Sequence, residues 1–110
     1  MAYDEGLAER VRDVIGARPG VTERKMFGGL GFMVSGNMAC AVMGDDLIVR
    51  IDPEEMDSAL REPHAGVFGR MGKRPMSGFV LVEAPGLTED AELARWVDRG
   101  AERAASLPPK

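Results

Sequence analysis

The chain holds one histidine and one cysteine, His64 and Cys40, so a zinc centre of three or four nitrogen and sulfur ligands cannot be assembled within it. Coordination by carboxylates alone is the remaining metal chemistry, and no pattern of Asp and Glu supports it. Cys40 stands at the middle of Met38-Ala39-Cys40-Ala41-Val42, where strand alternation puts it on one face with Met38 and Val42. That setting predicts a buried, inert thiol, because reactive cysteines sit in electropositive, partly exposed surroundings. His64 follows Pro63 and reads as an exposed loop residue. With this thin a supply of nucleophiles, bases and ligands, the expectation is no catalytic residue, no metal site, no cofactor and no enzymatic activity.

The glycines Gly28-Gly29-Leu30-Gly31 invite comparison with phosphate-cradling loops, but their spacing argues against it. A dinucleotide fingerprint would need a third glycine where Val34 stands, followed by a helix, and a P-loop would need Gly-Lys-Ser or Gly-Lys-Thr. A bend or bulge between strands is the favoured reading. From Arg61 to Pro75 the chain carries Arg61, Arg70, Lys73 and Arg74 against one acid, Glu62. This basic loop could meet an acidic partner or phosphate, although Phe68 is its only aromatic and strong nonspecific DNA binding draws on about six to ten phosphate contacts. A solvated loop is the plainer alternative. Of the eight methionines, Met26, Met33, Met38, Met43, Met71 and Met76 fall in or beside strands; most should fill core gaps, and any that share an exposed sheet face would make an adaptable surface.

Elements that position these residues follow from the periodicity. Asp4 caps a helix with apolar Leu7, Val11, Val14 and Ile15 at helical spacing, stopped by Pro19-Gly20. Strands are predicted over Thr22 to Phe27, Gly31 to Val34 and Met38 to Met43, with Ser35-Gly36-Asn37 as turn chemistry, and then over Leu47 to Ile51 after Gly44-Asp45-Asp46. Asp52-Pro53-Glu54-Glu55 starts a short helix reaching about Leu60. Arg61 to Lys73 reads as a long loop, Pro75 to Glu83 as a strand, and Thr88 as the cap of a last helix with Leu93, Trp96, Val97, Ala101 and Ala104 on one stripe, Trp96 in the core. The order α-β-β-β-β-α-β-α predicts a two-layer α+β fold, with a mostly antiparallel sheet of about five strands packed on one face by helices, as one domain over residues 1–110.

Composition agrees. Of 110 residues, 45% are apolar and 29% charged, a balance that buries a core and does not mark disorder. The net charge of −4 gives no global attraction to nucleic acid or anionic lipid. A single cysteine, an acidic N-terminal stretch instead of a signal sequence, and no apolar run near the roughly 18 residues needed to span a bilayer lead us to expect a cytoplasmic protein with no membrane association.

The run Arg24-Lys25-Met26-Phe27-Gly28-Gly29-Leu30-Gly31-Phe32, with Ser35-Gly36-Asn37-Met38, Leu47-Ile48-Val49-Arg50, Pro75-Met76-Ser77-Gly78-Phe79 and Leu93-Ala94-Arg95-Trp96-Val97, resembles the N-terminal domain of the TfoX/Sxy family over nearly the whole chain. The resemblance implies a two-layer α+β fold akin to those of secretion chaperones, and regulation instead of catalysis. Family members named for function regulate bacterial competence, acting with the cyclic-AMP receptor protein, and carry a C-terminal helical domain for which this chain has no room. The resemblance brings no catalytic residues. It marks Arg24, Lys25, Phe27, Gly28, Gly29 and Gly31 as motif positions, which with Arg70, Lys73 and Arg74 form the candidate interaction surface.

The leading expectation is a regulatory or protein-interaction module whose partner is a protein such as the cyclic-AMP receptor protein. Direct nucleic-acid binding through Arg70, Lys73 and Arg74 is the alternative, and small-molecule binding or activity at the glycine hairpin and His64 a further one. A homodimer is a further expectation, since a meander leaves sheet edges to be covered.

Overall fold

The Asp4 carboxylate accepts the Leu7 N–H at 3.1 Å, as its capping position predicts, and the first helix, α1, runs Glu5–Ile15. The computed structural model describes residues 3–26, 28–68 and 78–110. After α1 come strands β1 (Val21–Met26), β2 (Gly29–Val34), β3 (Asn37–Met43) and β4 (Asp46–Arg50). A 3-10 turn over Pro53–Glu55 leads into α2 (Met56–Leu60), followed by β5 (Ala65–Val67), β6 (Phe79–Val82), a second 3-10 turn over Ala84–Leu87 and α3 (Asp90–Ser106).

The α+β class and the antiparallel sheet are as expected, with four differences. Ala65–Val67, inside the stretch read as a long loop, forms a short strand, so the described sheet has six strands in the order β1-β2-β3-β4-β6-β5. Three residues are too few for a periodicity signal; β5 exists because β6 supplies its ladder, through Ala65 opposite Val82 and Val67 opposite Val80. Second, Thr88 is not the cap of α3. The preceding 3-10 turn leaves it in helical geometry with its hydroxyl donating to the Pro85 carbonyl, and the N-cap position falls to Glu89. Third, the left-handed residues of the β2–β3 turn are Ser35 (φ 51°) and Gly36 (φ 86°), the geometry that matches the twist of paired strands, and Asn37 already belongs to β3. Fourth, β2 begins at Gly29, two residues before the expected Gly31. Of the strand expected over Pro75 to Glu83, residues 75–77 lie outside the described ones.

The helices share one face of the sheet. Strand alternation turns Leu30, Phe32 and Val34, Leu47 and Val49, and Val80 and Val82 toward Val11 and Ile15 of α1 and Leu93, Trp96, Val97 and Ala101 of α3, all in one buried cluster. Burying a side chain of this size contributes about 1.5–3 kcal/mol, so this layer dominates stability. Helix α3 crosses β2, β3 and β4 and comes closest at Gly100, where a Cβ would overlap the Ala39 carbonyl oxygen. Among the described residues no helix is long and apolar enough to cross a membrane.

The opposite face is also largely apolar. The pairing Gly31–Ala41–Ile48–Leu81–Gly66 runs across it, and Ala41 and Ile48 are only 3% and 1% exposed.

Candidate interaction surface

The hairpin of β1 and β2 carries most of the described motif positions. Register sets Val21, Glu23 and Lys25 opposite Val34, Phe32 and Leu30, so these three lie on the helix side of the sheet. Thr22, Arg24 and Met26 lie on the other. Thr22 to Lys25 are exposed in one continuous run. Arg24 and Lys25 are therefore adjacent in sequence but point to opposite faces, and among the described residues neither has an ion-pair partner. Glu23 does: its carboxylate accepts from Arg12 of α1, with Nη2 to Oε1 at 2.9 Å. The pair holds the Glu23 carboxyl below its usual range and raises the Arg12 guanidinium. Beside it an open cleft runs between the end of α1 and β1, lined by Arg12, Ile15, Arg18, Val21, Glu23 and Phe32. Arg18 is occupied by Asp98 of α3 at 3.2 Å.

The motif glycines are structural. Gly28 takes φ 77°, a left-handed turn conformation that side chains disfavour. A Cβ on Gly29 would stand 2.5 Å from the Val42 carbonyl oxygen and 2.9 Å from Met43 Cγ, and one on Gly31 would stand 3.3 Å from Met26 Cε. The glycines thus let β2 approach β3 closely and let two methionines lie across the sheet. Met26, Met33, Met38 and Met43 share the face away from the helices, but Met33 is buried and the other three are half-buried. Phe27, Arg70, Lys73 and Arg74, also expected in the surface, lie outside the described residues, as do Met71 and Met76.

Cys40 is fully buried, as expected, and loss of hydration alone pushes its thiol up to about 12. His64 is exposed, with φ 67°, and its backbone carbonyl accepts from the Glu83 N–H at 2.9 Å, so its local role is to join β5 to β6. No group of His, Cys, Asp and Glu among the described residues is arranged to hold a metal ion.

Two arrangements had no local signal. Glu62, the single acid of the basic loop, accepts from both Arg95 and Arg99 of α3, each at 2.6 Å. Both guanidiniums also lie over the Trp96 ring, 5.1 and 4.8 Å from its centroid. Burial by itself would push the Glu62 carboxyl up, but the two guanidiniums outweigh it and the net shift is downward. Asn37 is 2% exposed, and its amide reaches the Ala104 and Pro108 carbonyls. Ion pairs between residues more than thirty positions apart cannot be read from spacing; the polar residue following a turn glycine gave no hint of a tertiary partner.

Comparison with curated proteins and with solved structures returns no match. The family model described as the TfoX N-terminal domain matches residues 13–104, spanning β1 through most of α3 and including every motif glycine described above. On that match, the chain belongs to the TfoX N-terminal domain family.

Proposed function

We propose that this chain is a non-enzymatic regulatory module that acts by binding another protein through the β1–β2 hairpin. The observation that carries this reading is the exposed run Thr22 to Lys25 at the end of the described sheet, where Arg24 and Lys25 have no acid partner among the described residues in a chain of net charge −4. Burial of Cys40 supports the non-enzymatic reading, since it keeps the thiol out of a substrate's reach. Family resemblance supports a transcriptional setting and makes the cyclic-AMP receptor protein the first partner to test.

Light scattering on the purified chain, alone and mixed with its host's cyclic-AMP receptor protein, tests this. The expected result is a heavier complex whose mass falls back on Arg24→Glu/Lys25→Glu substitution. A mixture showing only the two separate masses would overturn that partner, and a complex indifferent to the double substitution would overturn the hairpin as its site.

A further inference from the structure

An end strand either is covered, is made unattractive, or is used. Among the described residues the sheet ends at β5 on one side and β1 on the other. β5 has three residues, too short a ladder for specific pairing, whereas β1 has six. The Ser35 N–H donates to the Gly20 carbonyl at 2.9 Å, which fixes the alternation along the β1–β2 ladder. Thr22, Arg24 and Met26 turn their backbone groups inward to β2, and Val21, Glu23 and Lys25 turn theirs out of the sheet. Three N–H and three C=O groups therefore face outward along an exposed strand.

Charge selects what can pair there. Glu23 is matched by Arg12, leaving Arg24 and Lys25 as the unmatched charges of the edge. A second copy of this chain fits poorly. Antiparallel pairing about a two-fold axis keeps odd-numbered residues opposite odd-numbered ones: centring a β1–β1 ladder on Glu23 sets Glu23 against Glu23, and centring it on Arg24 sets Arg24 against Arg24 and brings Glu23 opposite Lys25 only in competition with its Arg12 pair. Like charges directly opposite destabilise a sheet. A different strand has no such conflict if it carries two consecutive acids, because neighbouring residues of a strand point to opposite faces just as Arg24 and Lys25 do.

We propose that β1 is a docking strand, and that an extended segment of a partner protein with two adjacent acidic residues adds antiparallel to Val21–Met26, its acids opposite Arg24 and Lys25. Backbone groups of Val21, Glu23 and Lys25 supply the ladder, the acid pair supplies register and selectivity, and the cleft beside Val21 and Arg12 receives the partner's side chains on the helix side. This rests on the interaction-module reading and specifies how that module binds.

The test is a tethered strand. The Lys110 N–H donates to the Ser35 carbonyl at 2.9 Å, so the C-terminal residue lies next to the start of β1. A Gly/Ser linker of about 12 residues after Lys110, with a typical span near 20 Å, lets a six-residue Val-Glu-Glu-Thr-Val-Thr segment reach β1 at an effective concentration on the order of millimolar. Amide hydrogen exchange is read residue by residue, against an otherwise identical Val-Lys-Lys-Thr-Val-Thr tether. The expected result is slowing of exchange at Val21, Glu23 and Lys25 by about tenfold or more with the acidic tether only, while Thr22 and Arg24, already paired to β2, change little. In the Arg24→Glu/Lys25→Glu variant the preference should reverse to the lysine tether, a result that misfolding would not give. No protection with either tether, or equal protection with both, would overturn the proposal. Neither outcome touches the scattering assay, which reports complex formation by any surface, so the docking mode and the interaction-module reading fail separately.

Discussion

The side-chain amide of Asn37 donates to the carbonyl of Pro108 at 2.9 Å, joining the first residue of β3 to the segment that follows α3. The same amide reaches the Ala104 carbonyl at 3.4 Å, and Lys110 continues the contact through Ser35. One buried side chain thus gives the Pro108 carbonyl a donor and adds a second to the Ala104 carbonyl, which also accepts from the Leu107 N–H.

Asn37→Ala should destabilise the protein by about 0.5–1.5 kcal/mol, because it removes the donor that the Pro108 and Ala104 carbonyls share. Thermal denaturation followed by circular dichroism would show this as a fall in Tm of roughly 4–8 °C per kcal/mol for a domain near this size. A Tm within a degree of the parent would mean that the contact contributes nothing.

Glu62 gives the protein an acid-sensitive tie between α2 and α3. Its folded-state pKa is lowered from 4.5, so the unfolded chain binds the proton more readily. The stabilisation is full above the ordinary glutamate value and is lost as pH falls through the lowered one. Glu23, lowered by Arg12, adds to the same trend. Glu62→Gln should cost about 1–2 kcal/mol at pH 7, a partial value because the site is partly exposed. The difference between variant and parent should shrink toward pH 3, and urea denaturation across that range checks both the size and the direction.

Cys40 should be inert in the folded protein. With its thiol pushed up to about 12 by burial, the thiolate is scarce at pH 8 and the sulfur inaccessible. Labelling by an aromatic disulfide reagent should proceed only in denaturant, with one equivalent released per chain; rapid labelling under native conditions would contradict the burial.

Glycine replacements separate close approach from mere flexibility. Gly100→Ala forces α3 away from the Ala39 carbonyl, and Gly29→Ala sets a methyl 2.5 Å from the Val42 carbonyl oxygen. Each should destabilise by about 1–3 kcal/mol, since backbone cannot yield as a side chain can. At Gly66 no atom of the described residues lies within 4 Å of the Cβ position, and Gly66→Ala should stay within about 0.5 kcal/mol of the parent. Chemical denaturation of the three variants checks the order.

Much of the fold was legible because it rests on local physics. Asp4 and Asp52 cap where their types predict, with Asp52 accepting the Glu54 N–H at 2.9 Å. The helical stripe of Leu93, Trp96 and Val97 announced which face of α3 would be buried. Of the candidate surface, the exposed Arg24 and Lys25 and the structural glycines followed from the hairpin. Their division between two faces needed the register.

Short-range periodicity, capping and turn chemistry by themselves determined the class of the fold, the helices and most strands, and the burial of Cys40, since each depends on residues within a turn or two of one another. Only the tertiary structure decided that β6 inserts between β4 and β5, that Glu62 is gripped by Arg95 and Arg99, that Asn37 holds the segment after α3, and that β1 ends the sheet with its backbone turned outward. Those are pairings between distant segments, chosen by which surfaces can be buried together, and sequence spacing does not record them.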